Sequence, residues 1–127
     1  MNRNRSAGHT WERLCINLLK TISYFKNIVS SRSESVNRDA QKVDIMNKDE
    51  DENGRLLFDI QCKTTCNSVN YHKIMSEMVI KKIPLILHRK TKKQGKSFYK
   101  EEDYAILKME DFIRLLKQID FELFKQI

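Results

Sequence analysis

The sequence predicts a single-domain α/β fold with its elements in the order α-β-β-β-α-β-β-α. Three observations carry that expectation. Apolar residues recur at helical spacing at both ends of the chain, alternate with period two in its middle, and form an unbroken run at residues 83–88. The 127 residues are enough for one hydrophobic core and too few for two. With 40% hydrophobic residues, Gly 3 and Pro 1, the composition excludes a disordered or low-complexity chain.

Trp11, Leu14, Cys15, Leu18, Leu19, Ile22 and Phe25 form one stripe, which predicts an amphipathic helix over residues 7–26 capped by Ser6 or Thr10. Residues 27–33 read as a short strand, 35–41 as a polar loop and 42–46 as a second strand. Asp49 to Glu52 are four consecutive acids, and Asn53-Gly54 behind them is the best hairpin signal in the chain. In the next strand, 55–64, Leu56, Phe58, Ile60 and Cys62 take one face; Leu57, Asp59, Gln61 and Lys63 take the other. A second helix is expected over 69–80, capped by Asn67 or Ser68, with Tyr71, Ile74, Met75, Met78 and Val79 buried. Residues 83–88 form a buried central strand. Residues 89–97 read as a basic loop containing Gly95, and Tyr99 with 103–107 as the last strand. The closing helix, 110–126, turns Phe112, Ile113, Leu115, Leu116, Ile119, Leu123 and Phe124 inward.

No apolar run approaches the roughly 20 residues that span a bilayer. Met1 to Arg5 leads into no apolar segment, so no secretory leader is expected. The three cysteines are an odd count at irregular spacing, which argues against a disulfide framework. A cytoplasmic, non-membrane protein is the expectation. The net charge of +7 favours a polyanionic partner.

One constellation carries chemistry. Glu12 lies on the first helix beside the apolar stripe. Asp44 stands between Val43 and Ile45 and so points away from the face those two bury. Gln61 and Lys63 share a face of the neighbouring strand. Oxygen ligands of this kind suit Mg²⁺ (or Mn²⁺), which needs only one or two carboxylates besides water and substrate phosphate. A lysine beyond the ligands can orient water and neutralise charge building on phosphorus.

In sequence order these residues are Arg3, Arg5, Gly8 and Glu12; Ser31-Arg32; Val43-Asp44-Ile45; and Ile60-Gln61-Cys62-Lys63. This series resembles the PD-(D/E)xK nuclease superfamily, most closely the archaeal Holliday junction resolvases and their phage relatives. The resemblance continues through Pro84 to Leu87, the basic turn and Glu110-Asp111-Phe112, and spans nearly the whole chain. It implies the restriction-endonuclease-like fold, a central mixed β-sheet flanked by helices, in one nuclease domain over 1–127 with a short basic N-terminal arm. It also implies a homodimer that nicks branched DNA symmetrically. Glu12, Asp44, Gln61 and Lys63 become the catalytic set, with Asp44, Gln61 and Glu12 on the metal.

The family has Glu where this chain has Gln61. An amide oxygen still ligates but brings no charge. Gln61 serves as a weaker ligand, Asp59 on the same face replaces it, or the site is impaired; the first is favoured because Asp44 and Lys63 keep their register. Phosphate contacts are expected from Arg3, Arg5, Arg32 and Arg38, and from Arg89, Lys90, Lys92, Lys93 and Lys96 in the basic turn. From Lys81 to Lys100 there is no acid. No small-molecule cofactor is expected. Competing readings are a restriction or repair nuclease cutting linear DNA, and a non-catalytic DNA-binding module. Cys62, Cys66 and His72 resemble part of a metal cluster, but a fourth ligand is missing and a buried thiol at Cys62 is the simpler account.

Overall fold

The structure, a computed structural model, describes residues 3–22, 25–34, 41–48 and 56–119, with the backbone alone at 3–6, 33 and 34. The elements are α1 (Arg3–Lys20), β1 (Ile28–Ser30), α2 (Ser31–Glu34), β2 (Ile45–Asn47), β3 (Phe58–Thr65), α3 (Tyr71–Glu77), β4 (Ile83–Gln94), β5 (Ser97–Ile106) and α4 (Met109–Gln118). The five strands form one mixed sheet in the order β1-β2-β3-β4-β5. β3 and β4 are parallel and every other pair is antiparallel. This is the expected α/β architecture with helices flanking a mixed sheet, plus one short helix, α2.

α1 packs across the sheet. Trp11, Cys15 and Ile16 are buried with Ile28, Ile45, Leu56, Ile60 and Leu85, and Leu14 and Leu19 lean on that cluster. The buried stripe is rotated from the one expected: Leu18 and Ile22 face solvent at 55% and 47% exposure. Its centre runs through Trp11, Glu12, Cys15, Ile16 and Leu19, still at i, i+3, i+4 spacing. Glu12 therefore falls inside the stripe and is only 6% exposed. Trp11 Nε1 donates to the Leu87 carbonyl at 2.9 Å and pins α1 to β4. The basic segment Arg3–Ser6 is about the first turn of α1 rather than an arm outside the fold.

The strand expected over 27–33 stops at Ser30. The Ser31 hydroxyl bonds the Val43 carbonyl, and its N–H donates to the Asp44 carbonyl at 2.8 Å, so the chain turns there into α2. The second strand starts late because Lys42 adopts a left-handed backbone, φ 63, which no strand accommodates. Asp44 is nonetheless fixed from both sides: its N–H donates to the Ile60 carbonyl at 2.7 Å. The expected hairpin tip at Asp49 to Gly54 lies outside the described residues, as do Arg38, Leu123 and Phe124.

The largest correction concerns 89–97. These residues form no loop: β4 runs on to Gln94, and Gly95, at φ 64, turns it into β5. The antiparallel ladder from Ile86↔Ile106 to Gln94↔Ser97 holds the basic stretch in extended form, with a register shift at Lys90/Thr91. α3 is shorter than expected and capped by Asn70, whose side chain accepts from Lys73 N–H at 3.1 Å. Met75 and Met78 are buried, but Tyr71 and Val79 are exposed. On α4, Phe112 and Ile113 are exposed rather than inward, as is Ile119 just past its end. No helix among the described residues is long and apolar enough to cross a membrane.

Candidate functional site

Gly8, His9, Glu12, Arg32, Asp44, Gln61 and Cys62 wall an open cleft of about 610 Å³. Four elements meet here. α1 brings Glu12, α2 brings Arg32, the residue before β2 is Asp44, and β3 carries Gln61. Three of the four expected catalytic residues thus share one cleft. The fourth, Lys63, is half-buried two residues further along β3 and is not a wall residue.

Each acid is held. Glu12 Oε1 accepts the Ser30 hydroxyl at 2.5 Å and faces Arg32 Nε at 3.3 Å. Those two partners compensate the burial of a carboxylate in an otherwise apolar stripe. Asp44 Oδ2 accepts the Cys62 N–H at 2.7 Å, which aims its carboxylate along β3. Cys62 itself abuts Cys15 against the core; contact with that thiol and burial push its own thiol well above the ordinary range, so it stays protonated. Cys66 is exposed.

Gln61 is 8% exposed, and its Oε1 has no hydrogen-bond partner among the described residues. An orphaned buried acceptor costs about 1–3 kcal/mol. It stands beside Asp44 and Glu12 in the same cleft, and all three offer oxygen. That donor set fits a hard divalent cation. Two carboxylates and an amide fall short of a conventional cluster; no group of three or more His, Cys, Asp or Glu that could hold a metal occurs among the described residues.

Asp59 does not substitute for Gln61. It is fully buried, and its Oδ2 accepts the N–H groups of Lys81 and Lys82 at 2.7 and 2.8 Å. It anchors the turn that enters β4 and is absent from the cleft wall.

No protein-family model, curated protein or solved structure matches the chain.

The expected phosphate contacts are redistributed. Arg32 is engaged with Glu12 inside the cleft. Arg89 donates to both oxygens of Asp103, Nε at 2.8 Å and a terminal nitrogen at 3.0 Å. That bond raises the guanidinium's already high pKa and holds the Asp103 carboxyl below its usual range. Lys90 pairs with Glu101. The acids of β5 thus fold back onto a segment that contains none of its own. Lys92, Lys93 and Lys96 stand exposed along the hairpin. Arg3 and Arg5 lie in α1, their side chains undescribed. Sequence reasoning missed Ser30 as the residue that orients Glu12. Its only signal was a neighbour, Ser31-Arg32, read as part of the motif.

Proposed function

We propose that the chain is a metal-dependent endodeoxyribonuclease of PD-(D/E)xK type, on the restriction-endonuclease-like fold, that resolves four-way DNA junctions as a homodimer. The observation that carries the reading is the meeting of Glu12, Asp44 and Gln61 as wall residues of one cleft. Asp44 and Gln61 would hold Mg²⁺ or Mn²⁺, with Glu12 completing the site. A bound divalent ion supplies Lewis acidity at the phosphate and a bound water acidic enough to lose a proton. Glu12, fixed by Ser30 and Arg32, would help hold the ion and orient water beside it. Lys63, two residues further along β3 and outside the cleft wall, would bring its ammonium to charge gathering on the non-bridging oxygens. Hydrolysis leaves a 5′-phosphate. Two symmetric nicks in a two-fold junction call for two such sites related by a two-fold axis. Cytoplasmic action belongs to the same reading.

A second reading, a branched-DNA-binding module without turnover, is favoured by the neutral Gln61 and by the Arg32 guanidinium already paired with Glu12. One assay separates the two. Purified protein is offered a four-way junction, a linear duplex and a flap, with Mg²⁺, Mn²⁺ or EDTA. Paired, metal-dependent junction nicks that vanish in Asp44→Asn support resolution. Equal cutting of linear duplex indicates a restriction or repair nuclease. Tight junction binding with no product in either metal indicates the binding module.

A further inference from the structure

On the other side of α1 from the cleft lies a larger hollow of about 790 Å³, open to solvent, between α1, the end of β3 and the β4–β5 hairpin. Its walls include Trp11, Thr64, Arg89, Lys96, Phe98 and Lys100, and no acid. Phe98 is 51% exposed, an aromatic ring offered to solvent at the rim. Lys93 Nζ lies 5.9 Å from the centre of that ring. Deeper in, the Arg89 guanidinium lies over the Trp11 ring at 4.5 Å, its edge tied to Asp103. That stack presents a flat, cationic outer surface. Thr64 is another wall residue; its Oγ1 is buried and has no hydrogen-bond partner among the described residues.

These features answer to one ligand chemistry. A flat ring suits Phe98 and the Arg89 plane, a hydrogen-bonding edge suits Thr64, and a phosphate suits the positive field of Lys96 and of Lys100, which also faces Asp103 at 3.5 Å. An unstacked nucleobase with its attached phosphate supplies all three, and the volume is ample for one nucleotide. A paired duplex cannot supply the first, because its ring faces are covered by neighbouring bases. We propose that this hollow binds a single unpaired nucleotide of a DNA strand, separately from the cleft that holds Glu12, Asp44 and Gln61. The proposal rests on the reading of the chain as a DNA-acting protein, since it extends the same substrate class to a second site.

The test uses Trp11, the one tryptophan in the chain, as its reporter. A short single-stranded DNA oligonucleotide is titrated against the purified protein while Trp11 emission is followed. The same strand with one abasic position and the same sequence as a blunt duplex are the comparators. Saturable quenching is expected with the single strand, with affinity roughly fivefold or more above that for the duplex. Phe98→Ala, at an exposed position that the core does not need, and Thr64→Val, which keeps the shape and removes the hydroxyl, should each weaken the single strand by roughly fivefold and leave duplex affinity unmoved. Asp44→Asn should lose junction cleavage yet retain the quenching, which separates this site from the cleft. Equal affinities for intact, abasic and duplex DNA, unmoved in both variants, overturn the proposal whatever the cleavage assay shows. Quenching that survives in a protein with no cleavage in any metal supports the pocket and sinks only the nuclease reading.

Discussion

Asp44 accepts the backbone N–H of Cys62 at 2.7 Å, so the acid before β2 is locked to the strand residue that follows Gln61. Asn at position 44 can still accept that bond through its amide oxygen but loses the charge. Asp44→Asn should therefore melt within a few degrees of wild type and cut a four-way junction at least about 100-fold more slowly. A cleavage time course at saturating Mg²⁺ checks it, and undiminished cutting removes Asp44 from the site.

Gln61 offers a test in which stability and activity move apart. Gln61→Leu removes the orphaned buried oxygen, so urea unfolding should show equal or greater stability, by up to about 1–2 kcal/mol. The same change should abolish metal-dependent cleavage. Gln61→Glu adds a charged ligand and should tighten Mn²⁺ binding by about tenfold or more, read by calorimetry. A Glu variant with unaltered metal affinity places the ion elsewhere.

Asp59 should behave in the opposite way. From a fully buried position its carboxylate accepts two charge-assisted hydrogen bonds from the backbone N–H groups of Lys81 and Lys82. Asp59→Ala should cost roughly 3–5 kcal/mol of stability. Below its lowered melting temperature it should retain cleavage within a few-fold of wild type. A folded, catalytically dead Asp59 variant contradicts the structural role.

Two buried or paired groups set the acid limb of stability at different pH. Burial, with Lys90 nearby, lowers the His88 pKa below 6.5, so the fold favours neutral imidazole. The unfolded chain then takes up more protons as pH drops below 6.5, and stability falls until the folded group also titrates. Arg89 depresses the Asp103 pKa below 3.8, so that pair's contribution, about 1 kcal/mol, is full above that value and is lost only as pH falls through the folded one. Melting curves of His88→Gln should lose the first decline and those of Asp103→Asn the second. A His88→Gln profile identical to wild type rules the imidazole out as its source.

DNA affinity should depend on salt through the exposed cations of the hairpin. Lys92→Ala or Lys93→Ala should each lower the slope of log K against log salt by roughly 0.9 if that ammonium meets a phosphate. Lys90→Ala should change it less, because Glu101 already neutralises that ammonium. Equal effects at all three positions mean the Lys90 pair opens on binding.

Local pattern was enough for the α/β class and the order of the elements other than α2, because period and turn chemistry are properties of neighbouring residues. It also singled out Asp44, an acid in an extended apolar setting. Partner-dependent facts were not legible. The stripe of α1 admits two rotations, and only the sheet beneath it chose the one that buries Glu12. Residues 89–97 look like a basic loop in isolation; strand pairing with β5 made them a ladder and set Asp103 against Arg89. Asp59 and Gln61 are equivalent by alternation along β3, yet the backbone of Lys81 and Lys82 claims one and leaves the oxygen of the other orphaned. The reason is the same in each case. A +7 charge and a hydrophobic period constrain what one segment can do, while burial, ion pairing and hydrogen-bond satisfaction are decided by segments far away in the chain.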